Sequence, residues 1–362
     1  MSAAARLHAF YHVRSEPAAI EARARALAVE QSVEMPLAAI EEPSVLSDIV
    51  GRLDGIADLG AGMFEVRIAI AASTIGVDAA QLFNMLFGNS SLQDDVVLHD
   101  VELPEDIGRA FGGPRHGIAG IRERAGIHGR ALTCSALKPQ GLAPARLADL
   151  AARFASGGLD FVKDDHGLAD QFFSRFADRV PLCAAAVRGT ATRYIPSLSG
   201  DLETMRRQIA LACNEGVDTV MAAPMLVGPS NFAALVRAFP DIVFFAHPAL
   251  GGAARIAPPL LGKLFRLMGA DVVIFPTYGG RFGYTPDTCR ALAAMARGDL
   301  LGLHPSLPAP AGGIALDRVP EILDFYGVDT MLLIGGSLLL ARERLSDEAA
   351  AFTRTVAAHV YR

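Results

Sequence analysis

Beyond residue 117, short apolar runs of strand type alternate with helical segments, and this alternation limits the possible folds more than any other feature of the chain. Candidate strands lie at 131–136, 159–163, 182–187, 219–223, 243–246, 272–275, 300–304 and 331–334, with helices at 144–155, 202–214, 232–238 and 291–296 among them. A helix between two strands brings the second back parallel to the first. Eight such repeats in roughly 230 residues predict a closed (β/α)8 barrel, with an open doubly wound sheet as the alternative. The first hundred residues read differently. Strand 7–14, helix 20–31, strands 49–57 and 63–72 around LGAG, helix 78–87 and strand 96–103 follow the ferredoxin-like order. The segment FGGPRHG at 111–117 has the Gly and Pro of a boundary. The expected fold is α/β: a small ferredoxin-like α+β domain, residues 1–110, followed by a TIM barrel, residues 111–362.

Composition narrows the function classes. Of 362 residues, 51% are hydrophobic, enough for a sizeable core, and the net charge of −6 comes without a Lys/Arg cluster, which disfavours nucleic acid. Cys134, Cys183, Cys213 and Cys289 are far apart and lack CxxC spacing, as expected of a protein in a reducing compartment. MSAAARLHAFYHVRSE has no long apolar stretch, and no run of 18 apolar residues follows, so neither a leader nor a membrane span is expected. The expectation is a soluble cytoplasmic protein.

In such a barrel, catalytic side chains gather past the carboxyl ends of the strands. GGLDFVKDDH, residues 157–166, places four ionisable side chains after the apolar strand 159–163. Strand alternation puts Lys163 and Asp165 on one face, and His166 joins them once the chain turns at Gly167. Asp165 and His166 offer an oxygen and a nitrogen to Mg²⁺, Mn²⁺ or zinc. Lys163 could neutralise the carboxylates, or become a ligand if CO₂ converts its amine to a carbamate. A solvated polar turn is the competing interpretation.

GGLDFVKDD resembles the metal-site signature of the ribulose-bisphosphate carboxylase (RuBisCO) large chain, a family with a small domain followed by a barrel. The resemblance implies a carbamylated Lys163 and Mg²⁺ held by Lys163, Asp165 and His166. His166 stands where the family has glutamate, which points to the RuBisCO-like proteins that do not fix CO₂. Lys138 in KPQGL matches the family's catalytic lysine, and Gln140 replaces a second one. His247 matches a family histidine, but Pro248 follows where the family has a phosphate-gripping arginine. Arg281 in PTYGGRFG takes the place of the lysine on the loop that closes over substrate; its forked guanidinium suits a carboxylate or phosphate.

The glycine pairs Gly312-Gly313 and Gly335-Gly336, before Ser337, match the family's cradle for one of two substrate phosphates. Ala311 replaces a serine, and the family's sixth-strand histidine becomes Ile274 or Phe275. One anion site survives, so a monophosphate is expected. Glu30 and Asn89 resemble two residues that the family sends into the neighbouring subunit's site, which implies a homodimer with shared sites. These parts suit an enolate-forming enzyme. The resemblance of KDDHGLADQ points to the branch acting on 3-oxo-isoapionate 4-phosphate, so a decarboxylase is expected. The alternatives are a transcarboxylase/hydrolase on that substrate, an enolase or isomerase of a methylthio-sugar phosphate, and a silent regulatory relative.

Overall fold

The computed structural model describes residues 5–361. Residues 1–4 and 362, at the outer ends of the two expected domains, lie outside the described residues. Four strands, β1 (Arg6–Arg14), β2 (Arg52–Gly60), β3 (Met63–Ala71) and β4 (Val96–Glu102), form an antiparallel sheet in the order β2-β3-β1-β4. Along β1 the side chains alternate strictly. Leu7, Ala9, Tyr11 and Val13 are buried beneath the helices Ile20–Glu30 and Ala79–Phe87, whereas Arg6, His8, Phe10 and His12 face outward. The Tyr11 hydroxyl donates to the carbonyl of Leu86 at 2.6 Å and ties the second helix to the sheet.

Eight parallel strands follow: β5 (Leu132–Leu137), β6 (Phe161–Asp164), β7 (Arg193–Ile195), β8 (Thr219–Ala222), β9 (Val243–Ala246), β10 (Val272–Pro276), β11 (Leu307–Ala311) and β12 (Met331–Leu333). The ladder runs β7-β6-β5-β12-β11-β10-β9-β8. It closes where the amide of Leu198 donates to the carbonyl of Met221 at 2.7 Å and the amide of Met221 to the carbonyl of Pro196 at 2.9 Å. The result is a (β/α)8 barrel, and the doubly wound alternative is ruled out. The bridge Leu98↔Ile256 fastens the small sheet to the barrel.

Two of the expected strands lie elsewhere. Residues 182–187 end the helix Phe176–Val187, whose buried Phe176, Val180, Cys183, Ala184 and Val187 recur at helical spacing. The third barrel strand is instead the three-residue Arg193–Ile195. Residues 300–304 form a turn in which Leu301 takes a positive φ of 56° and packs on Gly108, while Leu303 packs on Gly113. The seventh strand is LPAPA, whose prolines would ordinarily argue against a strand. The amide of Leu307 points to β10, bonding the carbonyl of Asp271, so by alternation Pro308 and Pro310 lack their N–H on the β12 side. There the ladder is reduced to Ala311↔Leu333. This places Gly312-Gly313 directly after β11.

Candidate active site

The barrel interior is filled by Cys134, Phe161, Ile195, Met221, Phe245, Ile274, Leu307, Ala309 and Leu333, with Ile118 and Ile121 closing the bottom. Because side chains alternate, each inward position repeats two residues further along. From Cys134 the inward series reaches Ala136 and Lys138; from Phe161 it reaches Lys163 and Asp165. From Phe245 it reaches His247, from Ile274 Pro276, and from Leu333 Gly335. Local alternation in separate strands therefore delivers these groups to one mouth.

Nζ of Lys138 lies 2.8 Å from Oδ1 of Asp165, and Nδ1 of His166 lies 3.4 Å from the same oxygen. Burial tends to raise the Asp165 pKa, but the hydrogen bonds from His166 and Lys138 and the charges of Lys138 and Lys163 outweigh it, holding the carboxyl well below the usual range. The His166 and His247 rings stack, with centroids 4.3 Å apart and planes 10° from parallel. Burial, aided by the charges of Lys163, His166 and Lys138, pushes His247 down to about 2, so its ring is neutral. Its Nδ1 accepts the amide of Ala249 at 3.1 Å, which leaves the ring proton on Nε2, available to a substrate oxygen. A Cβ built on Gly335 would sit 3.8 Å from Cε of Lys138, so this glycine adjoins the lysine.

Lys163 is buried at 3% exposure, and its Nζ donates to the carbonyl of Asp164 at 2.8 Å. Burial lowers its pKa, joined by Lys138 and opposed by Cys134, Asp165 and Asp164, so the neutral amine is reached below the usual lysine range. Asp164, of opposite parity, points away from the mouth. It accepts Nε of Arg179 at 3.1 Å, the Tyr194 hydroxyl at 2.7 Å and the amide of Ser197 at 3.1 Å. This fully buried clamp anchors the end of β6. Its sequence signal was Arg179 on the buried face of its helix, among Phe176, Val180 and Cys183.

The donor set fits a divalent cation on one condition. Asp165 Oδ1 and His166 Nδ1, 3.4 Å apart, are close to the roughly 3 Å that separates neighbouring ligands on octahedral bonds of about 2.1 Å. An ammonium cannot ligate, so a set of three ligands would require Lys163 in the form of its carbamate.

The other expected site residues fall into two groups. Gly312 and Gly313, with φ of 79° and 97°, lie under the loop after β10. A side chain on Gly312 would meet Phe282 at 2.9 Å, and one on Gly313 would meet Cα of Gly280 at 2.8 Å and the amide nitrogen of Arg281 at 3.4 Å. Arg281 is exposed, its guanidinium 4.9 Å from the Phe282 ring centroid, and it forms no ion pair among the described residues. Gly336 opens the helix Gly336–Leu339 with free space around it, and Ser337 Oγ donates to the carbonyl of Ile314 at 2.8 Å, joining the last two loops. Gln140 lies across Gly167, where any side chain would collide with it. Glu30 and Asn89 meet each other on the small domain, where Nδ2 of Asn89 donates to Oε1 of Glu30 at 3.2 Å. A separate cavity of about 420 Å³ opens at the opposite end of the barrel, beside Arg124 and Arg193, which both pair with Asp218.

Residues 117–340 match the family described as "Ribulose bisphosphate carboxylase large chain, catalytic domain". The chain is 59% identical over 360 residues to the 5-methylthioribulose-1-phosphate isomerase of Rhodospirillum rubrum, covering 97% of this chain and 96% of that protein. It is 34% identical over 291 residues to the 2,3-diketo-5-methylthiopentyl-1-phosphate enolase of Geobacillus kaustophilus, covering 75% of this chain and 70% of that one. The crystal structure of a Rubisco-like protein from Rhodopseudomonas palustris superposes with a TM-score of 0.92 at 52% identity, over 99% of both chains.

Proposed function

Since the chain belongs to the RuBisCO large-chain family as a RuBisCO-like protein, we propose that it isomerises a methylthio-ketopentose monophosphate, with 5-methylthioribulose 1-phosphate as the substrate. The observation that carries this reading is the 59% identity to the Rhodospirillum rubrum isomerase along nearly the whole chain. The Geobacillus kaustophilus enolase, by its name, acts on another methylthio-pentyl 1-phosphate, which supports the same substrate class. The expected decarboxylation of 3-oxo-isoapionate 4-phosphate rested on KDDHGLADQ and has no comparable support, so the isomerase replaces it as the main reading. A silent regulatory relative is disfavoured by the joint retention of Lys138, Lys163 and Asp165.

Moving a ketone along a sugar removes a proton from the carbon beside the carbonyl and returns one elsewhere, so the site needs an acid/base and a partner for the developing oxyanion. Lys138, held against Asp165, is the acid/base candidate. His247 offers its Nε2 proton to a substrate oxygen, and its neutrality keeps it from competing with a cation for Asp165. Lys163 as its carbamate, Asp165 and His166 would hold a divalent cation such as Mg²⁺, whose charge would stabilise the enolate. Gly312, Gly313, Gly335 and Gly336 would cradle the single phosphate, with Arg281 closing over it. Glu30 and Asn89 would complete the mouth of the partner barrel in a homodimer. Pro248, which has neither a basic side chain nor an N–H, removes a second phosphate grip, so ribulose bisphosphate should not be carboxylated.

The test is turnover of 5-methylthioribulose 1-phosphate in D₂O with Mg²⁺ and bicarbonate, followed by NMR. Deuterium entering beside the ketone together with a shifted carbonyl is expected. An inert substrate, with CO₂ released from 3-oxo-isoapionate 4-phosphate instead, would overturn the proposal.

A further inference from the structure

On the outward face of the small sheet, three strands bring two imidazoles and a carboxylate together. His12 on β1 is paired directly across from Glu65 on β3, and Nε2 of His12 lies 3.7 Å from Oε2 of Glu65. His99 comes from β4 at an irregularity. The β1–β4 register passes from Phe10↔Asp100 to Tyr11↔Leu98, leaving His99 without a partner in the ladder. Bulges of this kind re-aim one side chain, here onto His12. The two rings stack with centroids 3.8 Å apart and planes 15° from parallel. One ligand atom from each of His12, Glu65 and His99 lies within 4.8 Å of the other two, the one such convergence of three His, Cys, Asp or Glu among the described residues.

We propose that His12, Glu65 and His99 form a binding site for a divalent transition-metal ion of the zinc type, separate from the barrel mouth. Two nitrogens and one carboxylate oxygen suit zinc, cobalt or nickel, and are poorly suited to magnesium or calcium. Ligands on bonds of about 2.0–2.2 Å lie roughly 3.3 Å apart in a tetrahedron, so on binding the two rings turn out of their stack until both in-plane lone pairs point at the ion. Stacked imidazoles repel when both are protonated, and one carboxylate neutralises only one of them; a shared metal ion gives both lone pairs a partner. Two other charged groups near this face have partners of their own. His8 lies 3.0 Å from Asp54, and Arg67 lies 3.1 Å from Glu102. An ion held by β3, β1 and β4 would pin the edge strand β4 to the sheet.

The experiment uses the full-length protein stripped with a chelator, titrated with Zn²⁺ alone and with Co²⁺ alone. One equivalent of either ion should be lost in His99→Ala and in His12→Ala, together with the Co²⁺ absorption bands and any Zn²⁺-induced rise in Tm. His166→Ala should keep that equivalent, which separates this site from the barrel mouth. His99 is exposed, so His99→Ala without metal should melt near the parent and keep its Mg²⁺-supported turnover. Unchanged Zn²⁺ stoichiometry and an unchanged Tm response in both His12→Ala and His99→Ala would refute the site.

Discussion

One carboxylate oxygen serves two neighbours: Oδ1 of Asp165 accepts the Lys138 ammonium at 2.8 Å while Nδ1 of His166 stands 3.4 Å away. Anything cationic that takes Asp165 competes with Lys138 for it. Under the proposed function, Lys138 would be freed for proton transfer once Asp165 is engaged by a cation. In the absence of metal, the same pair neutralises the mouth.

Lys138→Met should lower kcat by about 10²- to 10⁴-fold, the usual worth of a positioned acid/base. Metal binding should be retained or tightened, because the competing ammonium is gone. Isothermal titration with Mg²⁺ alongside turnover checks both halves. Weaker metal binding in this variant would mean that Lys138 helps to build the site.

His166→Ala should abolish metal-supported turnover and leave Tm within a few degrees, since an exposed side chain leaves no cavity behind. Asp165→Ala should also be inactive but less stable. It leaves the Lys138 and Lys163 charges without their carboxylate, and an unpaired buried charge is costly. Thermal melts of the two variants side by side test the contrast.

The pH dependence follows from Lys163. CO₂ adds only to the neutral amine, and burial lowers the Lys163 pKa below the usual lysine range, with Lys138 acting in the same direction. Activation by bicarbonate and metal should therefore rise with pH through that lowered pKa and level off above it, starting at lower pH than for a free lysine. Lys163→Ala should show no activation at any pH, with partial rescue by a small carboxylate. A crystal equilibrated with metal and CO₂ should show a planar three-atom extension on Nζ; a bare amine there would sink the carbamate.

The two glycine pairs should respond differently. Gly336 has open space and a conformation that other residues can adopt, so Gly336→Asp should raise KM for the phosphorylated substrate about tenfold by repulsion while sparing Tm. Gly312→Ala and Gly313→Ala should cost stability, because both positions have positive φ and a Cβ would press on Phe282 or Gly280. Equal KM effects at all three positions would point to a disturbed loop instead of a phosphate contact.

If Glu30 and Asn89 act across the dimer, Glu30→Gln and Lys163→Ala should complement each other. Random reassortment of two inactive dimers yields half heterodimers with one intact site each, so activity should recover to about a quarter of the parent value. Mixtures that stay inactive after subunit exchange would confine each site to one chain.

Much of the architecture was legible in the sequence because it depends on local periodicity. Alternation along β6 assigned Lys163 and Asp165 to one face, and helical spacing found the segment at 202–214 with its observed bounds, Leu202–Asn214. Six of the eight expected barrel strands lie where the alternation placed them. Periodicity failed where a short window was ambiguous. The apolar end of Phe176–Val187 reads as a strand until its buried residues are seen four and three apart. Pro308 and Pro310 argue against a strand until the ladder shows which neighbour lacks their N–H groups.

Groups distant in sequence were placed by tertiary structure alone. The buried Arg179 guanidinium beneath Asp164, the amide of Ala249 on His247 and the meeting of His12, Glu65 and His99 all depend on which strand lies beside which, and in what register. A sequence specifies the period of each strand, but the offset between strands is a collective outcome of packing the whole barrel and sheet. A one-residue slip would turn every inward group outward. The residue types at the mouth were thus set by the sequence, and their distances by the closed fold.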